Sequence, residues 1–329
     1  MYEDFIYPVQ NRIPPAALCY KLSSMHTILG INGATGPGLA AELRKRNIPV
    51  RGVSRRPFPG EWEHRQADIT NMAEVLDVVD GSEVVYLLVG LEYNIDVWRR
   101  DWPVIIENCV EACLANNAKL VFLDNVYSYG LVKGPMLENS PLRPNSRKGK
   151  VRAHLIQLLF NAVQNKHLRL CIARAADFYG PDCRTSVLNS TVFERFAQGK
   201  SAFVMGRSDK IHTYTYVPDI GPALAILGTD DRADGQVWHL PTSAERWTGE
   251  DWVKAAAEEF GVKPAFQATP TFILRIMGLF SRLFREMVEM NYQYTHDYIF
   301  SSEKFERTFG LKPTPNRQGV AVTAAFYKK

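Results

Sequence analysis

A glycine-rich turn between two apolar segments constrains this chain more than any other stretch. Residues 27–56 read T-I-L-G-I-N-G-A-T-G-P-G-L-A-A-E-L-R-K-R-N-I-P-V-R-G-V-S-R-R, which predicts a strand, a turn, a helix and a second strand. Glycine lets backbone N–H groups approach a pyrophosphate closely, and the N-terminus of the next helix presents its positive dipole end. The order of these elements predicts a βαβ unit that binds a dinucleotide; a merely structural glycine turn is the alternative.

Apolar runs alternate with helical spacing after this unit. The segments S-E-V-V-Y-L-L-V-G and K-L-V-F-L-D-N are typical of strands buried on both faces of a parallel sheet. Between the turn and these strands, N-M-A-E-V-L-D-V-V-D predicts a helix capped by Thr70 or Asn71. We expect its inner face to carry Val75, Leu76 and Val79. The alternation predicts a doubly wound, Rossmann-like α/β fold with a parallel sheet.

The expected domain boundaries follow from where this alternation changes. It becomes irregular after Pro181. We expect a dinucleotide-binding domain at 25–180 and a mainly substrate-binding region at 181–329, of which about 211–240 returns to the first domain. Residues 1–24 are expected to be an N-terminal extension, because their acidic start and their prolines are unlike a signal peptide. Met25, which precedes the first strand, is a hypothetical start of the native chain.

Charge and hydropathy exclude several classes of partner. The 329-residue chain carries a net charge of +4 from scattered basic residues, so nucleic acid is not expected. No segment approaches the roughly 20 apolar residues of a membrane span. We therefore expect a small-molecule substrate and no membrane partner, and we leave a homodimer open.

The cysteines point to a reducing compartment. There are five, an odd number without the spacing of a disulfide framework, which predicts free thiols and a cytoplasmic location. Cys109 and Cys113 share one helix face, but no further pair of cysteines or histidines follows at a suitable spacing. We expect core packing for both side chains and no metal site.

An apolar helix with interspersed arginines is predicted near the C-terminus. Residues 270–290 read P-T-F-I-L-R-I-M-G-L-F-S-R-L-F-R-E-M-V-E-M. Its apolar positions have helical spacing, and Arg275, Arg282 and Arg285 lie among them. A core, dimer or substrate-lid helix is favoured over binding to a membrane surface.

Polar residues that follow the predicted strands are the first site candidates. Ligands of open parallel sheets bind beyond the carboxyl ends of the strands. Asp124 and Asn125 come directly after an apolar strand, and V-Y-S-Y-G follows at 126–130. We expect this segment to lie near the nucleotide.

Taken together, these motifs resemble the extended short-chain dehydrogenases/reductases, specifically the NAD-dependent epimerase/dehydratase family. The matching pieces are N-G-A-T-G at 32–36, Asp68-Ile69, V-Y-S-Y-G at 126–130, E-N-S-P-L-R-P-N-S at 138–146, R-A-A-D-F-Y-G-P at 174–181, Y-V-P-D-I-G-P-A at 216–223 and F-G-L-K-P-T-P at 309–315. The usual turn of the family, T-G-x-x-G-x-x-G, differs here because Asn32 replaces the threonine and Leu39 stands where the last glycine would fall.

The resemblance implies a Ser, Tyr and Lys catalytic trio, all three of which are substituted here. The aligned positions hold Asn125, Lys148 and Arg152. An asparagine amide can still donate a hydrogen bond to an oxygen, whereas an arginine cannot relay a proton because its pKa exceeds about 12. Lys148 could act as an acid only if burial or nearby cations lowered its pKa from about 10. Tyr127, on the loop that follows Asn125, is a substitute proton donor, so the catalytic candidates are Asn125, Tyr127 and Lys148. The alternatives are a packed aromatic ring for Tyr127 and a solvated loop lysine for Lys148.

The second predicted strand ends in two arginines, at a place that determines whether a site prefers NAD or NADP. NAD sites place a carboxylate there, whereas NADP sites place arginine against the 2′-phosphate. This chain has Ser54, Arg55 and Arg56 at that place, so NADP(H) is predicted and NAD is less favoured. The cofactor-binding residues that the turn, the strand ends and the resemblance imply are Gly33, Ala34, Thr35, Gly36, Pro37, Ser54, Arg55, Arg56, Asp68, Ile69, Leu88, Val89, Arg152, Ala176, Asp177 and Phe178.

The resemblance implies an atypical oxidoreductase. The expected reaction is hydride transfer to or from a small carbonyl, enone or sugar-like substrate. The alternative is a non-catalytic NADP(H)-binding sensor or regulator that has lost the proton relay. A scaffold without a cofactor is the third reading, and the glycine turn and the paired arginines argue against it.

Overall fold

A parallel sheet of seven strands forms the centre of the computed structural model, which describes residues 25–329. The predicted extension at 1–24 lies outside the described residues. In chain order the strands are β1 (Met25–Leu29), β2 (Val50–Ser54), β3 (Glu63–Gln66), β4 (Ser82–Leu87), β5 (Lys119–Asp124), β6 (Leu170–Arg174), β7 (Asp177–Tyr179), β8 (Ala202–Met205), β9 (Tyr214–Tyr216), β10 (Gln236–His239) and β11 (Phe266–Thr269). The central sheet has the order β10-β6-β5-β4-β1-β2-β3, and its neighbouring strands are parallel.

Helices cover both faces of this sheet. In chain order they are α1 (Gly36–Lys45), α2 (Met72–Val79), α3 (Ile95–Ala115), α4 (Arg147–Lys166), α5 (Glu194–Ala197), α6 (Val217–Thr229), α7 (Gly249–Phe260), α8 (Thr271–Phe280), α9 (Arg282–Val288), α10 (Tyr292–Thr295), α11 (Glu303–Phe309) and α12 (Asn316–Tyr327). The apolar sides of α2, α3 and α4 share one core with the sheet, and those of α1 and α6 share another. The predicted doubly wound, Rossmann-like fold is confirmed.

Helix α2 shows how well the local pattern specifies the elements. Asn71 is its N-cap, and the Asn71 side chain accepts a hydrogen bond from the N–H of Ala73 at 3.0 Å, as predicted. The expected inner face is correct for Val75 and Val79 but wrong for Leu76, which is 38% exposed. Val78 is buried in its place, because Val78 and not Leu76 faces the sheet from this short helix.

Two small parallel pairs of strands lie outside the central sheet. One pairs β7 with β9, and the other pairs β8 with β11. A separate apolar cluster that includes Phe193, Tyr214 and Trp252 fills this part of the molecule. In contrast, α6 packs in the core of the central sheet and β10 is its edge strand, so this later part of the chain returns to the first half.

Cys109 and Cys113 pack in the core, as expected. Cys109 and Cys113 are fully buried on α3 as free thiols, and burial raises the pKa of Cys109 to about 12. Within residues 25–329, no group of histidine, cysteine, aspartate and glutamate side chains is arranged to hold a metal ion. None of the helices in that range is long and apolar enough to cross a membrane.

The predicted helix over 270–290 is divided in two. It breaks at Ser281 into α8 and α9, which pack against each other where Arg285 Nε donates to the carbonyl of Gly278 at 3.0 Å. The alternative that this helix is buried in the core is wrong for the outer side of α8, where Phe272 and Phe280 are exposed. The two helices, residues 271–288, are called the α8–α9 hairpin below.

Buried His239 makes the stability of the fold dependent on pH. Its Nδ1 lies 2.7 Å from the carbonyl of Ser301 and its Nε2 lies 2.8 Å from the Tyr129 hydroxyl, an arrangement that fits a neutral ring. Burial, with the nearby charges of Arg174 and Lys304, lowers the pKa of His239 to about 3. Below about pH 6.5 the unfolded chain binds a proton here that the folded chain does not.

We therefore expect the free energy of unfolding to fall as the pH is lowered from about 6.5 towards 3, by up to about 1.4 kcal/mol per pH unit from this residue. Urea denaturation of wild type and His239→Gln at a series of pH values measures the effect. The variant is expected to show a shallower pH dependence over that window. Identical slopes for the two proteins would contradict the assignment.

Candidate functional site

A cleft of about 720 Å³ opens beyond the carboxyl ends of β1, β2, β4 and β5. Its size is in the range of small-molecule and cofactor sites. The glycine turn, the end of β2, the segment after β4 and the residues after β5 all contribute to its walls. The sheet topology therefore brings together segments that are distant in sequence, as expected for a parallel sheet.

The turn before α1 presents backbone donors to this cleft. Ala34 and Thr35 line the cleft, and their N–H groups have no hydrogen-bond partner within residues 25–329. A Cβ atom added to Gly36 would lie 2.3 Å from the carbonyl oxygen of Ile31, so only glycine allows the chain to turn this closely into the helix. The free N–H groups at a helix N-terminus fit a pyrophosphate.

The shifted third glycine of the motif has a packing role. A Cβ atom on Gly221 of α6 would lie 2.6 Å from the backbone carbon of Gly38, which shows how closely the two helices cross there. Leu39, which stands at the family's glycine position, is fully buried in the core between α1 and the sheet. The altered spacing moves the close helix crossing by one residue and leaves the phosphate-binding side of the turn intact.

The end of β2 presents one arginine to the cleft. Ser54 and Arg55 line the cleft, whereas the exposed Arg56 does not. The Arg55 side chain has no ion-pair partner within the described residues. Across from it, Asp68 accepts hydrogen bonds from the N–H and hydroxyl of Thr70, which lower its pKa, and the charge of Arg55 lowers it further. Arg55 is therefore free to meet an anionic group at this end.

A buried carboxylate joins two buried arginines at the base of the cleft. Asp124, at the end of β5, accepts from Nε of Arg152 at 2.7 Å and from Nε of Arg174 at 2.9 Å. Nη2 of Arg152 also lies 2.5 Å from this carboxylate. Asp124 and Arg174 are neighbours in the parallel register of β5 and β6, so the sheet itself sets this pair.

Arg152 is held in place by aromatic rings as well as by Asp124. Its guanidinium carbon lies 4.6 Å from the ring centroid of Trp102, 4.8 Å from that of Phe122 and 5.9 Å from that of Trp98. Arg152, Trp98 and Trp102 all line the cleft. The remaining amino group, Nη1, has no hydrogen-bond partner among residues 25–329, so it is available to a ligand.

The loop after β5 carries two of the expected catalytic residues. Asn125 lines the cleft, and its Oδ1 accepts from the N–H of Tyr127 at 3.0 Å, which fixes the start of a short 3₁₀ turn. Within the described residues, the Asn125 amide nitrogen makes no hydrogen bond.

Tyr127 stacks on Trp98 with ring centroids 6.2 Å apart, and its hydroxyl is hydrogen-bonded to Tyr93. Burial raises the pKa of Tyr127 well above its usual value, and the electrostatic interactions of Tyr127 with Tyr93 and Asp177 raise it further.

Lys148 is bound to the α8–α9 hairpin. Its side chain is fully buried, and Nζ contacts the carboxylate of Glu286 and lies 2.8 Å from Oε1 of Glu289. Nζ also lies 4.4 Å from the ring centroid of Tyr93. Both of the ion-pair contacts of Lys148 among the described residues are with carboxylates.

The residues after β6 face two different regions. Phe178 lines the cleft. The N–H of Ala176 donates to Oγ1 of Thr215 at 3.0 Å, and the carboxylate of Asp177 lies 3.0 Å from Nε2 of His212 and accepts from the Tyr294 hydroxyl at 2.9 Å. Ala176 and Asp177 therefore make their polar contacts towards β9 and the segment before α11.

The predicted site residues divide into those that line the cleft and those that lie beside it. The cleft is lined by Gly33, Ala34, Thr35, Ser54, Arg55, Asp68, Ile69, Leu88, Val89, Asn125, Arg152 and Phe178. The remaining predicted residues, which do not line it, are Gly36, Pro37, Arg56, Tyr127, Lys148, Ala176 and Asp177.

Sequence reasoning missed the aromatic wall and the second arginine. Trp98 and Trp102 come from α3, and the buried indole N–H of Trp102 has no hydrogen-bond partner within the described residues. Arg174 lies in an otherwise apolar strand, which is itself a signal, because a charge buried in a parallel sheet needs a partner charge. The tryptophans gave no such signal, since their spacing is the same as that of core residues.

A second, much smaller cavity lies on the far side of Asp177. Its volume is about 30 Å³, roughly that of a single water molecule. Met205, His212 and Tyr214 line it together with Arg207 and Tyr294. In this conformation there is no room here for a nucleotide.

Comparison with protein families gives a match that covers most of the chain. The model of the NAD dependent epimerase/dehydratase family matches residues 26–240. These residues include the glycine turn, the central sheet and the cleft.

Curated relatives are distant and longer. The chain is 22% identical over 256 residues to 3beta-hydroxysteroid-dehydrogenase/decarboxylase isoform 2 from Arabidopsis thaliana, a match that covers 73% of this chain and 44% of the relative. Isoform 1 from the same plant is 22% identical over 170 residues, or 49% of this chain and 38% of the relative. The chain therefore spans less than half the length of these relatives.

Solved structures share the fold over nearly the whole chain. UDP-N-acetylglucosamine 4-epimerase from Bacillus cereus superposes with a TM-score of 0.75 at 14% identity, covering 92% of this chain and 96% of the other. UDP-glucose 4-epimerase from Thermus thermophilus, in complex with NAD, gives 0.75 at 18% identity and coverages of 92% and 98%. dTDP-glucose 4,6-dehydratase from Bacillus anthracis, also with NAD, gives 0.76 at 16% identity and coverages of 92% and 96%. At these identities the likeness shows the fold.

Proposed function

This chain belongs to the NAD dependent epimerase/dehydratase family, and from that membership we propose that it is an NADP(H)-binding oxidoreductase acting on a small carbonyl, enone or sugar-like substrate. The single observation that carries the proposal is the composition of the cleft. Unpartnered N–H groups of Ala34 and Thr35 lie at one part of its wall, and the unpaired cation of Arg55 lies at another. These groups match a pyrophosphate and a phosphorylated ribose.

The residues present fit a nicotinamide cofactor. The turn at Gly33 to Gly36 would hold the pyrophosphate, Asp68 and Ile69 the adenine end, and Arg152 the ribose beside the nicotinamide through its free Nη1. A bound nicotinamide supplies the hydride, so the chain's own side chains have to orient the substrate and move the proton.

Asn125 and Tyr127 are assigned to the substrate. The unpartnered amide of Asn125 would donate a hydrogen bond to a carbonyl oxygen and polarise it. Tyr127 would supply the proton from beside the cleft, since its ring stacks on Trp98 in the cleft wall and its hydroxyl is hydrogen-bonded to Tyr93. Its raised pKa keeps the hydroxyl protonated.

Lys148 is assigned a positioning role on the basis of its contacts. The ammonium of Lys148 is paired with Glu286 and Glu289, and the guanidinium of Arg152 is paired with Asp124. Neither residue supports the proton relay of the family's usual Tyr and Lys. In this proposal the acid has moved to the loop after β5.

The second candidate function is a sensor or regulator that binds NADP(H) without turnover. One observation favours it: the residues at both relay positions are locked in buried ion pairs. Under this alternative the cleft would bind the cofactor with the same preference, and only catalysis would differ.

Three broader features belong to the same proposal. We divide the chain into a dinucleotide-binding part at 25–180 and a mainly substrate-binding part at 181–329. The free and buried thiols of Cys109, Cys113 and Cys171 suit a reducing compartment such as the cytoplasm. A homodimer stays open.

The cofactor assignment predicts that Arg55 discriminates between NADPH and NADH. We expect Arg55→Ala to raise the Kd for NADPH about tenfold or more, because a charge-assisted hydrogen bond to phosphate contributes about 1.5–3 kcal/mol. The Kd for NADH is expected to change little. Fluorescence titration of wild type and variant with each dinucleotide measures both constants.

Arg56→Ala is the matched control, since it removes the neighbouring arginine that does not line the cleft. Its effect on NADPH affinity is expected to be small. Equal wild-type affinities for NADPH and NADH would refute the NADP(H) preference, while leaving a nicotinamide site in place.

A further inference from the structure

The α8–α9 hairpin exposes an unusual run of large apolar side chains. Phe280 is 87% exposed, Leu279 72% and Phe272 62%, and Ile273 and Ile276 are also exposed. Together they make up nearly half of the large exposed apolar residues in the described part of the chain, and they fall within α8 alone. A contiguous apolar surface of this kind indicates a binding surface.

The geometry of α8 places these side chains on one face. Phe272, Ile276, Leu279 and Phe280 have the spacing of a single helix face, while Leu274 and Gly278 are buried on the opposite side. A Cβ atom on Gly278 would lie 3.2 Å from Cα of Arg285, so α8 is pressed against α9 on its inner side. The apolar face is therefore held outward by a packed hairpin.

Two exposed arginines, Arg275 and Arg282, accompany this face, whereas Arg285 donates to the carbonyl of Gly278 on the inner side of the hairpin. Residues 270–285 contain Arg275, Arg282 and Arg285 and no aspartate or glutamate. Arg275 is exposed and has no partner within residues 25–329, and Arg282 makes only a solvent-exposed contact with Asp96. Apolar side chains flanked by arginines are the pattern of a helix that lies in a lipid–water interface.

We propose that the outer face of α8 docks on the surface of an anionic phospholipid membrane. The apolar side chains would enter the acyl boundary, and the arginines would meet the phosphate and carboxylate groups of the lipids. A second copy of this chain fits less well, because a two-fold interface through this face would bring the Arg275 side chains of two copies together. This proposal departs from the expectation of no membrane partner and is independent of the catalytic proposal.

The docking face and the candidate site belong to linked elements. The inner side of the hairpin carries Glu286, which binds Lys148 at the start of α4 together with Glu289, the residue that follows the hairpin. The hairpin that carries the docking face therefore also contacts the helix that bears Arg152.

Sedimentation with lipid vesicles tests the proposal with the full chain. We expect binding to phosphatidylcholine vesicles that contain phosphatidylserine, with weaker binding to pure phosphatidylcholine. The double substitution Leu279→Ser with Phe280→Ser is expected to lower the vesicle partition coefficient by at least about 100-fold, because two large apolar side chains are removed from the interface. Arg275→Glu is expected to weaken binding only to the vesicles that contain phosphatidylserine.

The matched control is Val322→Ser with Phe326→Ser, two exposed apolar side chains on α12. It is expected to bind vesicles as wild type does, and far-ultraviolet circular dichroism checks that each variant is folded. Absence of wild-type binding to either vesicle would overturn the proposal, as would binding that the α8 substitutions leave unchanged. A wild-type dimer that the α8 substitutions dissociate, without vesicle binding, would assign the face to a second copy and overturn it as well.

Discussion

Asp124→Ala is expected to lower the free energy of unfolding by about 3–5 kcal/mol, the largest stability effect predicted here. The substitution leaves the guanidinium groups of Arg152 and Arg174 buried without the carboxylate that both contact. Removing one partner of a buried ion pair costs far more than the pair contributes, because the remaining charge has lost its solvation. Here one carboxylate is the ion-pair partner of two guanidinium groups, so a single substitution leaves both buried charges without that partner.

Urea denaturation of wild type and Asp124→Ala measures this effect. Asp209→Ala is the matched control, because Asp209 pairs with Arg207 at the surface. We expect its denaturation midpoint to stay close to that of wild type. If both substitutions gave the same small change, the buried triad would not be an important contributor to stability.

Tyr127→Phe is expected to lower kcat about 10²- to 10⁴-fold, the range over which a positioned general acid contributes. The substitution removes only the hydroxyl, so the stacking on Trp98 is retained. NADPH affinity is expected to be unchanged, because the substitution leaves the aromatic ring and the groups assigned to the cofactor in place. Steady-state rates and NADPH titrations on the same preparations separate the two effects.

Tyr86→Phe provides a control for loss of a buried tyrosine hydroxyl. Tyr86 is fully buried in the core, and its hydroxyl lies 3.1 Å from Nδ1 of His26. Its kcat is expected to stay near the wild-type value. A Tyr127→Phe protein that turned over as fast as wild type would move the proton donor elsewhere, without excluding catalysis.

Local patterns predicted the fold because each element carries its own signal. The apolar runs of β4 and β5 and the Asn71 cap of α2 depend on residues close in sequence. Leu76 was misplaced because a short helix with apolar residues on most sides does not specify which side meets the sheet. The same limit applied to α8, whose periodicity predicts an apolar face but not what covers it.

The site was predictable where it depends on the strand ends and not where it depends on distant partners. The turn at Gly33 to Gly36, Arg55 and Asn125 follow strands directly, and each borders or lines the cleft. The carboxylates that hold Lys148 lie 138 and 141 residues away along the chain, so no local pattern could pair them. Arg174 could not be paired with Asp124 from the sequence, because that pairing depends on the parallel register of β5 and β6.

Transfer of deuterium from the cofactor to a product distinguishes hydride transfer by this chain from cofactor binding alone. NADPH deuterated at C4 of the nicotinamide would be incubated with the protein and a panel of ketones, aldehydes, enones and nucleotide sugars, and the products examined by mass spectrometry. We expect deuterium in the carbon skeleton of at least one product, at a rate that Tyr127→Phe reduces. Tight NADPH binding with no deuterium in any product would contradict it and favour the sensor.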